Sequence, residues 1–243
     1  MQRIKILTLL SLLLLSTSLF SQKRKDKVEY LSNFDKKTLR WGFYIGLNRM
    51  DYRISYKAPE DFPEAIDKIE TSPEIGFNVG LIGDIRLHKN INLRIEPGLA
   101  TNNKKIYFKH LNSPVDSVRK ASGTYMHIPL LVQFSANRYR NIRPYVIGGV
   151  TYDHNFASNF DNLDDNSWGE FRMQKHNFMY EVGVGIDFYL VWFKFSPSIR
   201  GIFAINNEIK RDAADTDLGN TSQWTTPIDY FGTRGIFLRF AFQ

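Results

Sequence analysis

Residues 177–189 read NFMYEVGVGIDFY, and the alternation in this stretch decides the fold. Successive side chains of an extended strand point to opposite faces. Phe178, Tyr180, Val182, Val184, Ile186 and Phe188 therefore share one face, and Glu181, Gly183, Gly185 and Asp187 share the other. Working outward, the same period recurs. Phe77, Val79, Leu81, Ile85 and Leu87 alternate with Asn78, Gly80, Asp84 and Arg86; Ile91, Leu93 and Ile95 oppose Asn92, Arg94 and Glu96. Phe193, Phe195 and Ile199 oppose Lys194, Ser196, Ser198 and Arg200, and Ile236, Leu238, Phe240 and Phe242 alternate with Phe237, Arg239 and Ala241.

Eight period-two segments rich in aromatic and β-branched residues can be marked, at 39–56, 74–87, 91–110, 123–135, 142–156, 177–189, 192–209 and 233–242. The connections between them alternate in length. Short ones fall at 88–90, 136–141 and 190–191, and long polar ones at 57–73, 111–122, 157–176 and 210–232. Short and long connections thus gather at opposite ends of one sheet. An even strand count with this asymmetry predicts an eight-stranded antiparallel transmembrane β-barrel of the outer membrane, with the chain ends and short turns in the periplasm. Closing the sheet also removes edges that hydrocarbon would not tolerate.

With the apolar face toward lipid, a lumen charge network is expected from Asp84, Arg86, Arg94, Glu96, Glu181, Asp187, Lys194, Arg200 and Arg239. The inverse arrangement is costly, because a basic residue facing lipid near the midplane costs about 2–4 kcal/mol, so register is tightly specified. A barrel of this size holds only its own side chains, which predicts a polar plug and no open pore. Aromatic residues make up 14% of the chain. Trp41, Tyr139, Phe188, Tyr189, Trp192 and Phe242 at one end, and Tyr52, Tyr56, Tyr107, Tyr152 and Phe156 at the other, are placed as two interfacial girdles. A soluble lipocalin-like barrel would exchange the two faces, putting the mid-strand charges in water around an apolar cavity.

The 243 residues are read as one domain preceded by export elements: a signal peptide over 1–21, a periplasmic segment over 22–38 and the barrel over 39–243. Arg3 and Lys5 lead an apolar run from Ile6 to Leu15, which is followed by small polar residues and Ser21 at the expected cut. The absence of Cys excludes a disulfide framework and a lipidated amino terminus. The formal net charge of +7 falls by two when Arg3 and Lys5 leave; a surplus of this size suits a protein facing anionic lipid and lipopolysaccharide, and no nucleic-acid partner is expected. Lys23, Arg24, Lys25, Lys27, Lys36 and Lys37 form a basic approach to the barrel, either a solvated arm or a contact for an acidic partner.

No cofactor, metal or catalytic site is expected. The five His residues offer no metal-binding spacing along the chain. His127 shares the charged face with Tyr125 and Gln133, where it is either a general base or a hydrogen-bonded member of the interior network. The acidic stretch 161–166 with Asp212, Asp215 and Asp217 supplies oxygen ligands of a kind Ca²⁺ takes, without the spacing of a calcium-binding hand. In the loop at 61–70, Pro63 precedes a pattern that fits one or two exposed helical turns.

Residues 31–56, LSNFDKKTLRWGFYIGLNRMDYRISY, resemble the start of the PorT (SprT) family of Bacteroidetes outer-membrane proteins. The likeness is carried by Asn33, Phe34, Asp35 and Lys36, then Gly42, Phe43, Gly46, Leu47, Asn48, Met50 and Asp51. A second phrase, Tyr125 to Leu131 with Arg143, Pro144, Tyr145, Gly148 and Gly149, looks like a hairpin generic to many small barrels. The resemblance implies a nonenzymatic accessory barrel of type IX secretion, needed for export of large folded cargo and for gliding in some species. It implies contacts with other secretion components, for which Asn33, Phe34, Asp35, Lys36, Gly42, Gly46, Asn48 and Asp51 are the family-specific candidates. A small porin-like or ligand-binding barrel and a lipid-modifying enzyme remain the alternative functions.

Overall fold

The computed structural model describes residues 28–57, 69–111, 117–121, 123–156, 171–211 and 224–243. The signal peptide, the run from Lys23 to Lys27, the acidic stretch 161–166, Asp212, Asp215, Asp217 and residues 61–68 of the predicted helical loop lie outside them.

A short 3-10 turn, η1 (Phe34–Lys36), precedes twelve strands: β1 (Leu39–Tyr56), β2 (Ile69–Pro73), β3 (Ile75–His88), β4 (Ile91–Ile95), β5 (Gly98–Asn102), β6 (Lys104–Phe108), β7 (Val118–Lys120), β8 (Gly123–Ser135), β9 (Ile142–Asn155), β10 (His176–Tyr189), β11 (Lys194–Ala204) and β12 (Ile228–Phe242). The main sheet runs β1-β12-β11-β10-β9-β8-β4/β5-β3 and closes through β3 onto β1, every neighbour antiparallel. β4 and β5 are two halves of one stave. Gly83↔Ile95 and Gly80↔Gly98 keep one register across the gap, and Pro97, which has no N–H to donate, marks the interruption. Eight staves thus close the ring, as the alternation predicts.

Two predicted segments divide differently. The segment 91–110 follows the barrel only as far as Asn102; Lys104–Phe108 then pairs with β2 in a separate three-stranded sheet, β2-β6-β7, above the long-loop end. The extra residue Glu74, between β2 and β3, slips the pairing by one and reverses which side chains of β2 face inward. The segment 192–209 leaves the sheet at Ala204, while β12 starts earlier than predicted, at Ile228.

The outward face is apolar along most of its height. Phe43, Ile45, Leu47, Val79, Leu81, Val146, Val182, Val184, Ile199 and Ile236 are all exposed. The inward face is polar at the same heights. Arg94, Asp84, His127, Gln133 and Arg239 have no measurable exposure, and Glu96, Glu181 and Arg200 have almost none. A soluble barrel would show the reverse.

Toward the long-loop end this polarity inverts. On β1 the outward series Trp41, Phe43, Ile45, Leu47 gives way to Arg49, Asp51 and Arg53, while the inward series changes from Arg40, Tyr44 and Asn48 to Met50, Tyr52 and Ile54. On β12, outward Leu238 and Ile236 are followed by Arg234, which faces Asp51. Ten residues of strand from Leu39 to Arg49, at about 3.3 Å each and a tilt near 40°, span about 25 Å, the height of a bilayer's hydrocarbon band. Above that level Tyr52, Ile69, Ile106, Phe108, Phe171, Met173, Ile209, Ile228 and Phe231 form an apolar core of the kind soluble domains bury. Tyr52 and Tyr56 therefore leave the predicted outer girdle: even positions of β1 point inward, and Tyr52 lies against Phe231 with ring centres 4.1 Å apart. Tyr152 and Phe156 remain outward at that end, where Phe178 and Tyr180 join them; at the other end Trp41, Tyr139 and Trp192 remain outward, whereas Tyr189 is buried and donates to Asp35 in the mouth.

Candidate functional site: a charged lumen and its stopper

The lumen at bilayer height is occupied by interlocked ion pairs. Glu96, carried inward just before Pro97, lies 2.8 and 3.0 Å from the two terminal nitrogens of Arg200, 2.6 Å from Arg239 and 3.1 Å from Arg94. Glu181 on β10 meets Arg200 at 3.4 Å and Arg239 at 3.6 Å, and accepts a hydrogen bond from the Thr151 hydroxyl. Arg94 also donates to Gln133 at 2.9 Å and to Gln243 at 3.1 Å. Nearer the short-turn end, Asp84 pairs with Arg40, and Asp187 accepts from Ser196 at 2.6 Å with Lys194 at 3.6 Å. The Arg239 guanidinium lies over the Tyr44 ring at 4.7 Å. Tyr44 in turn lies against Gly80 and Gly98, where a β-carbon on either glycine would collide with its ring or hydroxyl.

The structure places Asp84, Arg94, Glu96, Glu181, Asp187, Lys194, Arg200 and Arg239 together in one interior. Arg86, expected with them, stands apart. It keeps its inward parity, opposite Asn92, but stands at the end of the stave just before the turn, where it is half-buried at the short-turn rim and donates to the Lys36 carbonyl at 3.4 Å. Arg40 and Asp153 belong to the interior and were not singled out in the sequence. Both sit at inward positions, so parity counting within each strand, from outward Trp41 and Phe43 on β1 and from outward Val146 and Val150 on β9, is the signal that finds them.

His127 lies between two carboxylates, with Nδ1 2.6 Å from Asp153 and Nε2 2.7 Å from Glu181. Both ring nitrogens are thereby engaged. This is the geometry of a network member; a general base needs a free nitrogen facing a proton donor. A histidine pair is hidden in the sequence by the intervening loop. Register sets His154 opposite His176 on the outer wall, with Nδ1 atoms 3.4 Å apart and the Tyr152 hydroxyl 2.6 Å from His176.

Of the family-specific candidates, Phe34, Asp35, Gly42, Gly46 and Asn48 turn inward, whereas Asn33 and Lys36 are exposed and Asp51 faces outward. Phe34 of η1 sits in the short-turn mouth, its ring edge toward Tyr189 and the cations of Lys194 and Arg40 at 5.3 and 5.6 Å. Asp35 accepts a hydrogen bond from the Tyr189 hydroxyl at 2.7 Å and lies 3.4, 3.6 and 3.7 Å from Arg143, Arg40 and Arg138. Asn33 precedes the turn without a side-chain cap, and Lys36 and its neighbour Lys37 leave it, Lys37 over the Phe34 face. Asn141 and Arg138, from the turn joining β8 to β9, hold the backbone of Val28, Tyr30 and Leu31. The chain before β1 thus forms a stopper lodged in the mouth. Gly42 and Gly46 lie at inward positions where any side chain would strike the β12 carbonyls of Phe242 and Leu238. Asn48 donates to Thr101 and accepts from Asn102, and Asp51 accepts from Thr71 and pairs with Arg234.

Chemically, such a lumen can hold charge in place but offers solutes no aqueous passage among these groups, since their exposure is close to zero. Residues 20–210 match the family model described as an outer membrane protein beta-barrel domain. Among solved structures the chain is similar to the outer membrane protein OprG from Pseudomonas aeruginosa (13% identity, 84% of this chain and 93% of that one, TM-score 0.44). It is likewise similar to Neisserial surface protein A (8%, 84% and 98%, 0.42) and to AlkL in lipid bilayers (12%, 91% and 94%, 0.42). No curated protein matches the chain in sequence.

Proposed function

The chain belongs to the family of outer membrane protein beta-barrel domains, and on that premise we propose that it is a non-conducting accessory barrel of type IX protein secretion, resembling PorT. It acts by contact with other secretion components in a membrane of phospholipid and lipopolysaccharide, and it carries out no catalytic step. Its short turns and the stopper face the periplasm, and its long loops face outward, the arrangement single-chain outer-membrane barrels adopt. The observation that carries this reading is the filled bore. Glu96 and Arg200 meet across it and η1 sits in its mouth, so among the described residues the bore at bilayer height is occupied by paired side chains, which supports a non-conducting role. The family-specific part rests on the likeness of residues 31–56.

Deleting the gene in its host and assaying cargo in the culture medium tests the reading: cargo should accumulate inside the cell, and normal secretion would refute it. The porin-like alternative separates in planar bilayers. The purified barrel should conduct at background level, and a stable ohmic conductance would favour the alternative.

A further inference from the structure

Three outward arginines stand on β1 and β12 at the height where the apolar band ends. Arg49 is opposite Ile236, Asp51 opposite Arg234, and Arg53 opposite Gly232. Arg234 pairs with Asp51 at 3.4 Å. Among the described residues Arg49 and Arg53 have no ion-pair partner, so the patch keeps a positive surplus. Directly beneath it lies a groove of about 630 Å³ on the lipid-facing wall. Leu47, Ile236, Leu238 and Phe203 line it, and the Phe203 ring lies over Gly201, an outward position without a side chain, to form its floor. A cationic rim over an apolar trough is complementary to an amphiphile whose anionic head sits at the interface and whose tail enters the hydrocarbon.

We infer that this groove seats a phosphorylated disaccharide glycolipid of the outer leaflet, with acyl chain along Leu47, Ile236 and Leu238 and phosphates on Arg49, Arg234 and Arg53. Guanidinium groups suit phosphate because their planar fork offers paired donors. Four residues of strand separate Arg49 from Arg53, about 13 Å, a spread wider than one phosphate and suited to a headgroup phosphorylated at two ends. The inference rests on the orientation proposed above, which sets the long-loop end outward.

The test uses the full-length barrel in detergent micelles, titrated in native mass spectrometry with bisphosphorylated lipid A, the same lipid A dephosphorylated, and phosphatidylglycerol. The wild type should bind bisphosphorylated lipid A at least tenfold more tightly than either of the others. Arg49→Gln/Arg234→Gln should lose that preference at least tenfold, and Asp51→Asn, which removes the competing carboxylate but keeps an oxygen for Thr71, should strengthen binding about twofold. Heat-modifiable mobility on gels reports that each variant is folded, and Arg49→Gln alone serves if the double variant is not. Equal affinity for the three lipids, or an unchanged preference in the folded variants, overturns the inference. Because the chain has no Cys, Glu70→Cys on β2 reports orientation through an impermeant maleimide on intact cells. Absence of labelling overturns the orientation and the outer-leaflet lipid with it, whereas labelling without lipid selectivity overturns the lipid site alone.

Discussion

Glu96 and Arg200 stand on staves that face each other across the full width of the barrel, and they meet in its centre through two parallel contacts of 2.8 and 3.0 Å. A paired guanidinium and carboxylate of this kind forms a crossbar between opposite walls. Desolvating both groups is expensive, but removing one partner is worse, because it strands the other. Glu96→Ala leaves three guanidiniums facing one another, and a loss of about 3–5 kcal/mol is expected, read as a lowered urea midpoint for the lipid-refolded barrel. Glu96→Gln should lose less. Equal midpoints for wild type and Glu96→Ala would show that water or a relaxed rotamer replaces the bar.

Val182 faces outward at mid-height, one residue from inward Glu181. Val182→Arg should cost about 2–4 kcal/mol in refolding experiments, whereas Arg53→Leu, above the apolar band, should change stability by less than about 0.5 kcal/mol. Comparable effects at the two sites would contradict the placement of the hydrocarbon boundary at Leu47.

Asp35 ties the stopper to Arg40, Arg138, Arg143 and the Tyr189 hydroxyl. Since Asp35 is partly exposed, its removal should change the melting of the barrel little. Local opening is where the effect belongs. In Asp35→Ala, protease cleavage within residues 28–36 is expected to speed up about tenfold while the barrel stays resistant. An unchanged cleavage rate would mean that the ties from Asn141 and Arg138 to the backbone hold the segment by themselves.

Lys104, on the small sheet beyond the bilayer, is buried with its ammonium 3.8 Å from the centre of the Tyr52 ring. Burial pushes its amine down to about 8, against the attraction of Glu208, Asp51 and Asp153. The unfolded segment keeps a value near 10.5, so between these two pH values the unfolded state binds more protons than the folded one. Stability of this region therefore rises as pH climbs from about 8 toward 10.5. Hydrogen exchange at residues 104–108, corrected for intrinsic rate, should slow over that window, and Lys104→Met should abolish the slope and protect the segment at pH 7. A protection profile independent of pH in the wild type would remove this account.

Most of the barrel was legible from Glu181 and its neighbours because lipid and the lumen impose opposite demands on alternate residues, and period two records both. β1 and β8 begin and end where the pattern does. What escaped the sequence lies where a third environment intervenes. Above Leu47 the outside is water and the inside apolar, so a reading that assumes one polarity throughout sends Tyr52 outward and extends 91–110 as a single stave. The single-residue slip at Glu74 leaves no compositional mark. Arg86 carries the right parity and the wrong height, which alternation alone does not encode. The stopper was visible only as a likeness of residues 31–56, since contacts of Asp35 with Arg138 and Tyr189 span more than a hundred residues.

The closure of β12 onto β1 bears on how the molecule is made. Arg239, on β12, supplies cations to both Glu96 and Glu181. Until that hairpin docks, the two acids have only part of their neutralising company, and the interior must stay wet. Closure of β12 onto β1 therefore completes the hydrogen-bonded ring and the neutralisation of Glu96 and Glu181 together, so that sealing of the wall and drying of the interior are coupled.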